Sequence, residues 1–579
     1  MKTVLAVMLG LLLAAGLLVV GFGILLGLLM RPATPSVPAR AVLRIELFGP
    51  LWERKLEEPL LALLGGAQGE APTLELLRHI VELAESDERI RVVWVRLGAL
   101  EADWARLSEA RRLLERLRRA GKWLLASSGP DGFSEAAYYV ATVADSVLGP
   151  PEGFFEWDGL YAQGLFFRSA LDRLGIEVEA IRAGSYKGAV EPFTRRGFSP
   201  ENRRQLEELL RVLDETLLSA VSQSRGLARD SLLRWRRTAT VRSAADAHRV
   251  GLLDGLAYEE AIEAALRRRL GLQPDRRLPL VEAGQYAQLP NERRKGPDAV
   301  AIVYATGTIT VGESGLDPLS GGPTIGSESF LRTLRRVGRD RTVKAVLLRL
   351  DSPGGSATAS DVMWHAIREL AARKPVVASL SGVAASGGYY LAVAADTIVA
   401  DPATVTGSIG VFGLHINAGP FLEHKLGVSV DRIKTAPYAD WASGLRALSA
   451  EERRWMQAEI ERLYRSFLAR VASGRARPIE HIEPLAQGRI WSGRDAHRLG
   501  LVDTLGGFDT ALELLCRRAG LDPRRVRLKA YPEPKTLLER LLEPFVVRVS
   551  PVDGLAQRLQ QLCQSGPIWM WWPFRLYVR

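Results

Sequence analysis

The sequence predicts an α/β chain in which one folding unit occurs twice in tandem behind a single membrane-spanning helix. Three observations predict it. First, long stretches recur in the same order at a nearly constant offset. Ile90-Arg-Val-Val-Trp-Val-Arg-Leu97 matches Val343-Lys-Ala-Val-Leu-Leu-Arg-Leu350, Ala137-Tyr-Tyr-Val-Ala-Thr-Val-Ala-Asp145 matches Gly388-Tyr-Tyr-Leu-Ala-Val-Ala-Ala-Asp396, and Asp246-Ala-His-Arg-Val-Gly-Leu-Leu-Asp254 matches Asp495-Ala-His-Arg-Leu-Gly-Leu-Val-Asp503. Second, short aliphatic runs at 300–304, 345–350 and 376–380 alternate with helical patterns such as 360–373. Third, residues 4–30 are unbroken apolar sequence between Lys2 and Arg31, long enough to cross a bilayer as a helix.

In chain order, residues 1–40 form the anchor and a short Pro-rich linker, with an uncleaved anchor favoured over a signal peptide because the apolar run is long. A short N-terminus of this kind stays in the cytoplasm and leaves the rest of the chain on the extracytoplasmic side of the membrane. The first repeat spans 41–291, Glu292-Arg-Arg-Lys-Gly-Pro-Asp298 is the junction, the second repeat spans 298–545, and 546–579 is a tail. That tail holds Pro567-Ile-Trp-Met-Trp-Trp-Pro-Phe-Arg-Leu-Tyr577, whose aromatic residues flanked by Arg suit either a membrane interface or packing against a neighbouring half.

Composition narrows the function. A chain of 579 residues with 47% hydrophobic residues can bury more than one core. The formal charge of +11 does not concentrate in a patch: Arg and Lys mix with Glu along 109–119 and 451–470, which read as solvated helix faces. Nucleic acid is therefore not an expected partner, and the excess reads as attraction to anionic membrane lipid or as plain solubility. Cys516 and Cys563 make neither a disulfide framework nor a zinc site. Lysine is scarce among the 77 basic residues, and only lysine among them can lose its proton at working pH.

The two copies differ where chemistry would lie. Leu350 is followed by Asp351-Ser-Pro-Gly-Gly-Ser356, while the first copy reads Gly98-Ala-Leu-Glu-Ala-Asp103. Paired glycines after a strand expose backbone N–H groups fit to bind an oxyanion, although the same pattern also makes an ordinary turn. In Ala384-Ala-Ser386-Gly-Gly-Tyr-Tyr390 a serine stands among residues too small to cover it, and alignment on the tyrosines sets Glu135 opposite it. In the other direction, Tyr186-Lys187 aligns with Tyr438-Ala439. One copy thus holds a candidate nucleophile without a base, and the other a candidate base without a nucleophile. A composite site explains both losses, provided burial lowers the lysine pKa by about two to four units from about 10.4. Ser408, which aligns with Trp157, is either a residue that orients the lysine by hydrogen bonding or an ordinary turn serine.

The histidines offer no rival base. His248 and His497 occupy equivalent repeat positions, which marks a shared structural role, and the other five have no motif context. No His, Cys, Asp or Glu spacing forms a metal site.

With these motifs in hand, the chain resembles the long, duplicated form of the signal peptide peptidase A (protease IV) family of membrane-anchored serine/lysine peptidases. The resemblance covers nearly the whole chain and rests on the anchor, Gly184-Ser-Tyr-Lys-Gly-Ala-Val-Glu-Pro-Phe193, Asp351 to Ser356, Ala384 to Tyr390 and Thr406-Gly-Ser-Ile-Gly410. It implies a Clp-protease/crotonase-like unit in each repeat, Ser386 as nucleophile, Lys187 as base and Ser408 as the residue that orients it. It also implies an oxyanion hole from the N–H groups of Gly355 and Gly387. Peptide hydrolysis through an acyl-enzyme would follow, on signal peptides already released from preproteins, by a bowl-shaped homotetramer at the cytoplasmic membrane, without metal or organic cofactor. The tail is not part of the family pattern. Two rivals are a crotonase-like acyl-CoA enzyme, which leaves Lys187 and the anchor unexplained, and an inactive membrane scaffold, which leaves the intact motifs unexplained.

Overall fold

The computed structural model describes residues 36–54, 72–317 and 322–533, residue 21, and the backbone of 568–571. The expected anchor at 4–30 and most of the tail lie outside these residues. Among the described residues no helix is long and apolar enough to cross a membrane.

The first repeat contributes β1 (Ala41–Pro50), β2 (Ile90–Glu101), β3 (Trp123–Ser128), β4 (Gly132–Phe133), β5 (Ser146–Gly149), β6 (Phe154–Phe155), β7 (Glu177–Ala183), β8 (Gly255–Leu256) and β9 (Leu280–Glu282). The second contributes β10 (Ala299–Thr306), β11 (Thr308–Thr310), β12 (Thr324–Gly326), β13 (Val343–Ser352), β14 (Gly354–Ser356), β15 (Val376–Ala385), β16 (Thr397–Ala400), β17 (Val405–Gly407), β18 (Val411–Asn417), β19 (Ile490–Ser492), β20 (Thr504–Leu505) and β21 (Arg527–Tyr531). A last strand, β22 (Ile568–Trp571), comes from the tail.

Each repeat is built on one mostly parallel sheet, in the order β8-β5-β3-β2-β1-β9 in the first and β19-β17-β15-β13-β10-β21 in the second. The repeated run at 90–97 and its partner at 343–350 become the central strands β2 and β13, buried along nearly their whole length. Parallel strands covered on both faces need such continuous apolar runs, because helices lie on either side. The other repeated motifs do the same work in both copies. Tyr138 donates to Leu252 O at 2.6 Å and Tyr389 to Leu501 O at 2.7 Å. Asp254 accepts from Val147 N at 2.7 Å, as Asp503 does from Ile398 N at 2.8 Å.

A third sheet, β12-β11-β14-β22-β18-β7, contains strands of both repeats. β7 of the first runs antiparallel to β18 of the second, from Val411 opposite Ala183 to Asn417 opposite Glu177. This pairing carries the chain that follows β7 into the second repeat.

One expectation is corrected. The stretch 109–119 is not wholly a solvated face, because its helix (Trp104–Arg119) lies against the second repeat. Arg349 on β13 is 1% exposed and bonds Glu53 at 2.7 and 2.9 Å and Glu109 at 2.8 Å. Glu109 also pairs with Arg78, Arg106 reaches Asp351 at 2.5 Å, and Arg112 reaches Asp401 at 2.5 Å. Two guanidiniums hold the buried Glu109 carboxyl at about 2 despite its desolvation. The mixed charge that reads as a wet helix face is partly a buried seam between repeats, since charges can leave water when each finds an opposite partner.

Candidate active site

Ser386 ends β15 and caps the short helix Gly387–Ala392. Its backbone is forced to φ 55°, ψ −116°, outside the regions a serine ordinarily adopts, and its N–H donates to Gly407 O at 2.8 Å. Such strain costs about 1–3 kcal/mol and persists only where surrounding structure imposes it. Ser408, just after β17, shares the feature at φ 51° and donates its N–H to Arg489 O at 2.6 Å.

Lys187 arrives from the other repeat. After β7 the chain turns, Tyr186 N donates to Gln487 O at 2.9 Å, and the lysine side chain points back into the second repeat. Its Nζ lies 2.8 Å from Ser386 Oγ, 3.0 Å from Ser408 Oγ and 3.1 Å from Ser408 O. The three residues are 1%, 0% and 1% exposed for Lys187, Ser386 and Ser408. Desolvation lowers the lysine pKa well below its ordinary value. A neutral amine has two N–H donors and one lone pair, and three oxygens stand around this one. In its neutral form the amine can donate both N–H groups to Ser408 and receive the Ser386 hydroxyl on its lone pair. Ala189, Val190 and Phe412 form a small apolar cluster beside the loop.

Gly387 and the Gly354-Gly355 pair of β14 meet. A Cβ on Gly387 would stand 3.1 Å from Gly354 Cα and 2.7 Å from Ser360 Oγ. At Gly355, with φ 154°, a Cβ would stand 2.0 Å from Ile309 O. Only glycine permits either approach, and the contact brings the two main-chain stretches together next to Ser386.

One expectation is not met: Ser386 is fully buried rather than uncovered. The lysine loop and the glycine strand close over it, and β22 lies alongside. β22 runs antiparallel to β14, with Met570 opposite Gly355, and to β18, with Trp569 opposite Phe412. Of the two readings of the aromatic tail, this backbone pairing is the packing one, for these four residues.

The equivalent places in the first repeat are filled by other chemistry. Glu135 stands where Ser386 does and bonds Arg236 at 3.0 Å and Gly159 N at 3.1 Å. Trp157, opposite Ser408, donates Nε1 to Leu232 O at 3.0 Å beneath the Arg236 guanidinium, 4.5 Å from its ring centroid. β2 runs on to Glu101 where β13 breaks into the glycine loop. The stretch around Ala439 is an exposed loop. His248 Nδ1 lies 3.2 Å from Leu253 O, within its own repeat.

Sequence reasoning missed the polar layer beneath the lysine loop, formed by Glu191, Asn202 and Gln205, all buried. The one signal was that Glu191 belongs to the same stretch as Lys187. Its carboxylate accepts from Ser199 N at 3.1 Å and Asn202 Nδ2 at 2.9 Å.

Comparisons with known proteins agree with a duplicated chain. The profile described as Peptidase family S49 matches twice, at residues 116–273 and 368–522, once in each repeat. The chain is 33% identical over 476 residues to "Serine protease SPPA, chloroplastic" of Arabidopsis thaliana, covering 81% of this chain and 69% of that one. It is 32% identical over 525 residues to "Protease 4" of Salmonella typhi, covering 87% and 82%. A "Protease 4" of Haemophilus influenzae is 34% identical over 447 residues, covering 75% and 71%.

Proposed function

The chain belongs to peptidase family S49 and is a serine peptidase, and from this premise we propose that Ser386 is its nucleophile and Lys187, from the other repeat, its general base. The observation that carries the assignment is the 2.8 Å approach of Lys187 Nζ to Ser386 Oγ, in a setting where burial lowers the amine's pKa well below its ordinary value.

Neutral Lys187 takes the hydroxyl proton as Ser386 Oγ forms a bond to the scissile carbonyl carbon. The N–H groups of Gly355 and Gly387 receive the negative oxygen of the tetrahedral intermediate. Lys187, now an ammonium, gives its proton to the leaving amine as the C–N bond breaks. Water then attacks the acyl-enzyme with Lys187 again as base, releasing the acid and restoring the serine. Ser408 holds both lysine N–H groups and so aims the lone pair. The rival acyl-CoA reading gives no role to a lysine delivered across the repeat boundary.

Each repeat is read as a Clp-protease/crotonase-like unit from the resemblance, supported by the mostly parallel sheet in each. Signal peptide remnants are the proposed substrates: apolar fragments left in a bilayer are met by a peptidase anchored there through 4–30, with its catalytic part on the extracytoplasmic side. The homotetramer is carried over from the resemblance alone. Fluorophosphonate labelling and peptide hydrolysis, compared among the unaltered chain, Ser386→Ala and Lys187→Ala, test the assignment. Both variants should lose hydrolysis, and full activity in Lys187→Ala would overturn it.

A further inference from the structure

We infer that Gln205 is a positioning residue that registers the Lys187 loop of the first repeat against the Ser408 loop of the second. The inference rests on the serine/lysine reading above. A site divided between two repeats needs more than the right side chains, because the reacting atoms must keep their spacing while two separately built loops carry them. A misplacement of about 1 Å can cost about a hundredfold in rate.

Gln205 lies in the second turn of the helix Pro200–Arg225, whose start is set by Ser199 accepting from Asn202 N. Its side chain is 2% exposed. Nε2 donates to Tyr186 O at 3.3 Å and to Asn202 Oδ1 at 2.7 Å, while Oε1 accepts from Ile490 N at 3.0 Å. The two main-chain partners belong to different repeats, and each adjoins a residue that touches the lysine amine or its support. Tyr186 precedes Lys187. Ile490 pairs with Gly407, which precedes Ser408, and the Ser408 N–H is received by Arg489 O. A primary amide is neutral and can donate to one loop while it accepts from the other.

The far side of the amide is equally fixed. Asn202 donates to Glu191, and Glu191 follows Lys187 by one turn of chain. The lysine loop is therefore held at Tyr186 by Gln205 and at Glu191 by Asn202, both from the same helix. Arg182 adds a bond from Nη1 to Lys187 O at 3.2 Å. Since the lysine stem is long and flexible, its amine is located mainly by its Cα and by what closes around it.

The test uses the full chain and two substitutions. Gln205→Met keeps the length and removes every hydrogen bond; Gln205→Asn keeps the amide but is too short to reach both loops. Melting temperature, kcat, KM and the pH dependence of kcat/KM are measured for each. Gln205→Met should lower kcat about 10- to 100-fold with KM within about twofold, and move the acid limb of the profile to higher pH as the lysine gains water. Gln205→Asn should fall between it and the unaltered chain. A merely structural glutamine would lower the melting temperature, and with it the folded fraction, without moving the limb. If the folded fraction of either variant kept the original kcat and limb while Lys187→Ala was inactive, this inference alone would fail. If Lys187→Ala stayed active, the serine/lysine reading would fail first.

Discussion

Lys187 Nζ and Ser386 Oγ, 199 residues apart and from different repeats, stand 2.8 Å from each other, both fully buried. Among the described residues the lysine has no carboxylate partner, and desolvation drives its pKa down.

The pH dependence follows from that direction. The base works only when neutral, so kcat/KM should be fully developed above the depressed lysine pKa and fall about tenfold per unit below it. Lys187→Arg, always cationic, should cut hydrolysis by about 10²–10⁴-fold in a chain that still folds. Near-normal turnover by the arginine variant would remove the lysine from the mechanism.

The same burial predicts a stability cost at the site. Below its unfolded value the lysine binds a proton when unfolded and none when folded, so stability rises with pH between the depressed and the ordinary pKa. Lys187→Met removes a desolvated amine and should raise stability at neutral pH by about 0.5–2 kcal/mol while abolishing activity. Chemical denaturation at pH 7 reads this directly, and a less stable variant would contradict it.

Gly355→Ala tests the strand beside Ser386. The added methyl would stand 2.0 Å from Ile309 O, so β14 must move and its N–H with it. Hydrolysis should fall about 10²–10³-fold, the effect of losing one oxyanion donor. Burst kinetics with an activated ester would show whether acylation is the slowed step; an unchanged burst rate would exclude Gly355 from the oxyanion hole.

Arg349 tests the seam between repeats. Arg349→Met leaves Glu53 and Glu109 buried without the cation they share. The expected loss is about 3–5 kcal/mol in urea unfolding, with either repeat expressed alone inactive. A loss below about 1 kcal/mol would mean that the seam relaxes without it.

β22 occupies the edges of β14 and β18 beside the fully buried Ser386. Deleting 568–571 should leave those edges open and speed fluorophosphonate labelling of Ser386 several-fold. Labelling at the original rate would show that the strand does not limit the approach.

Much of this was legible before the structure because duplication makes a sequence its own comparison. The matched runs at 90–97 and 343–350 became the central strands of two sheets, and the tyrosine and aspartate motifs became ties repeated in both halves. The divergent positions, Ser386, Lys187 and Ser408, converge on one amine. What stayed hidden depends on partners distant in sequence. Glu109 reads as solvated until Arg78 and Arg349 surround it, and Gln205 is one polar residue on a long helix until Tyr186 and Ile490 flank it.

By itself, the sequence determined that the chain is one α/β unit repeated, and which residues each copy kept or lost, because strand periodicity and side-chain chemistry are local. Only the tertiary structure decided that the lysine reaches the serine. The antiparallel pairing of β7 with β18 carries one repeat's loop into the other, and burial there lowers the lysine pKa well below its ordinary value. Distances and desolvation are properties of the packed chain, and no residue carries them alone.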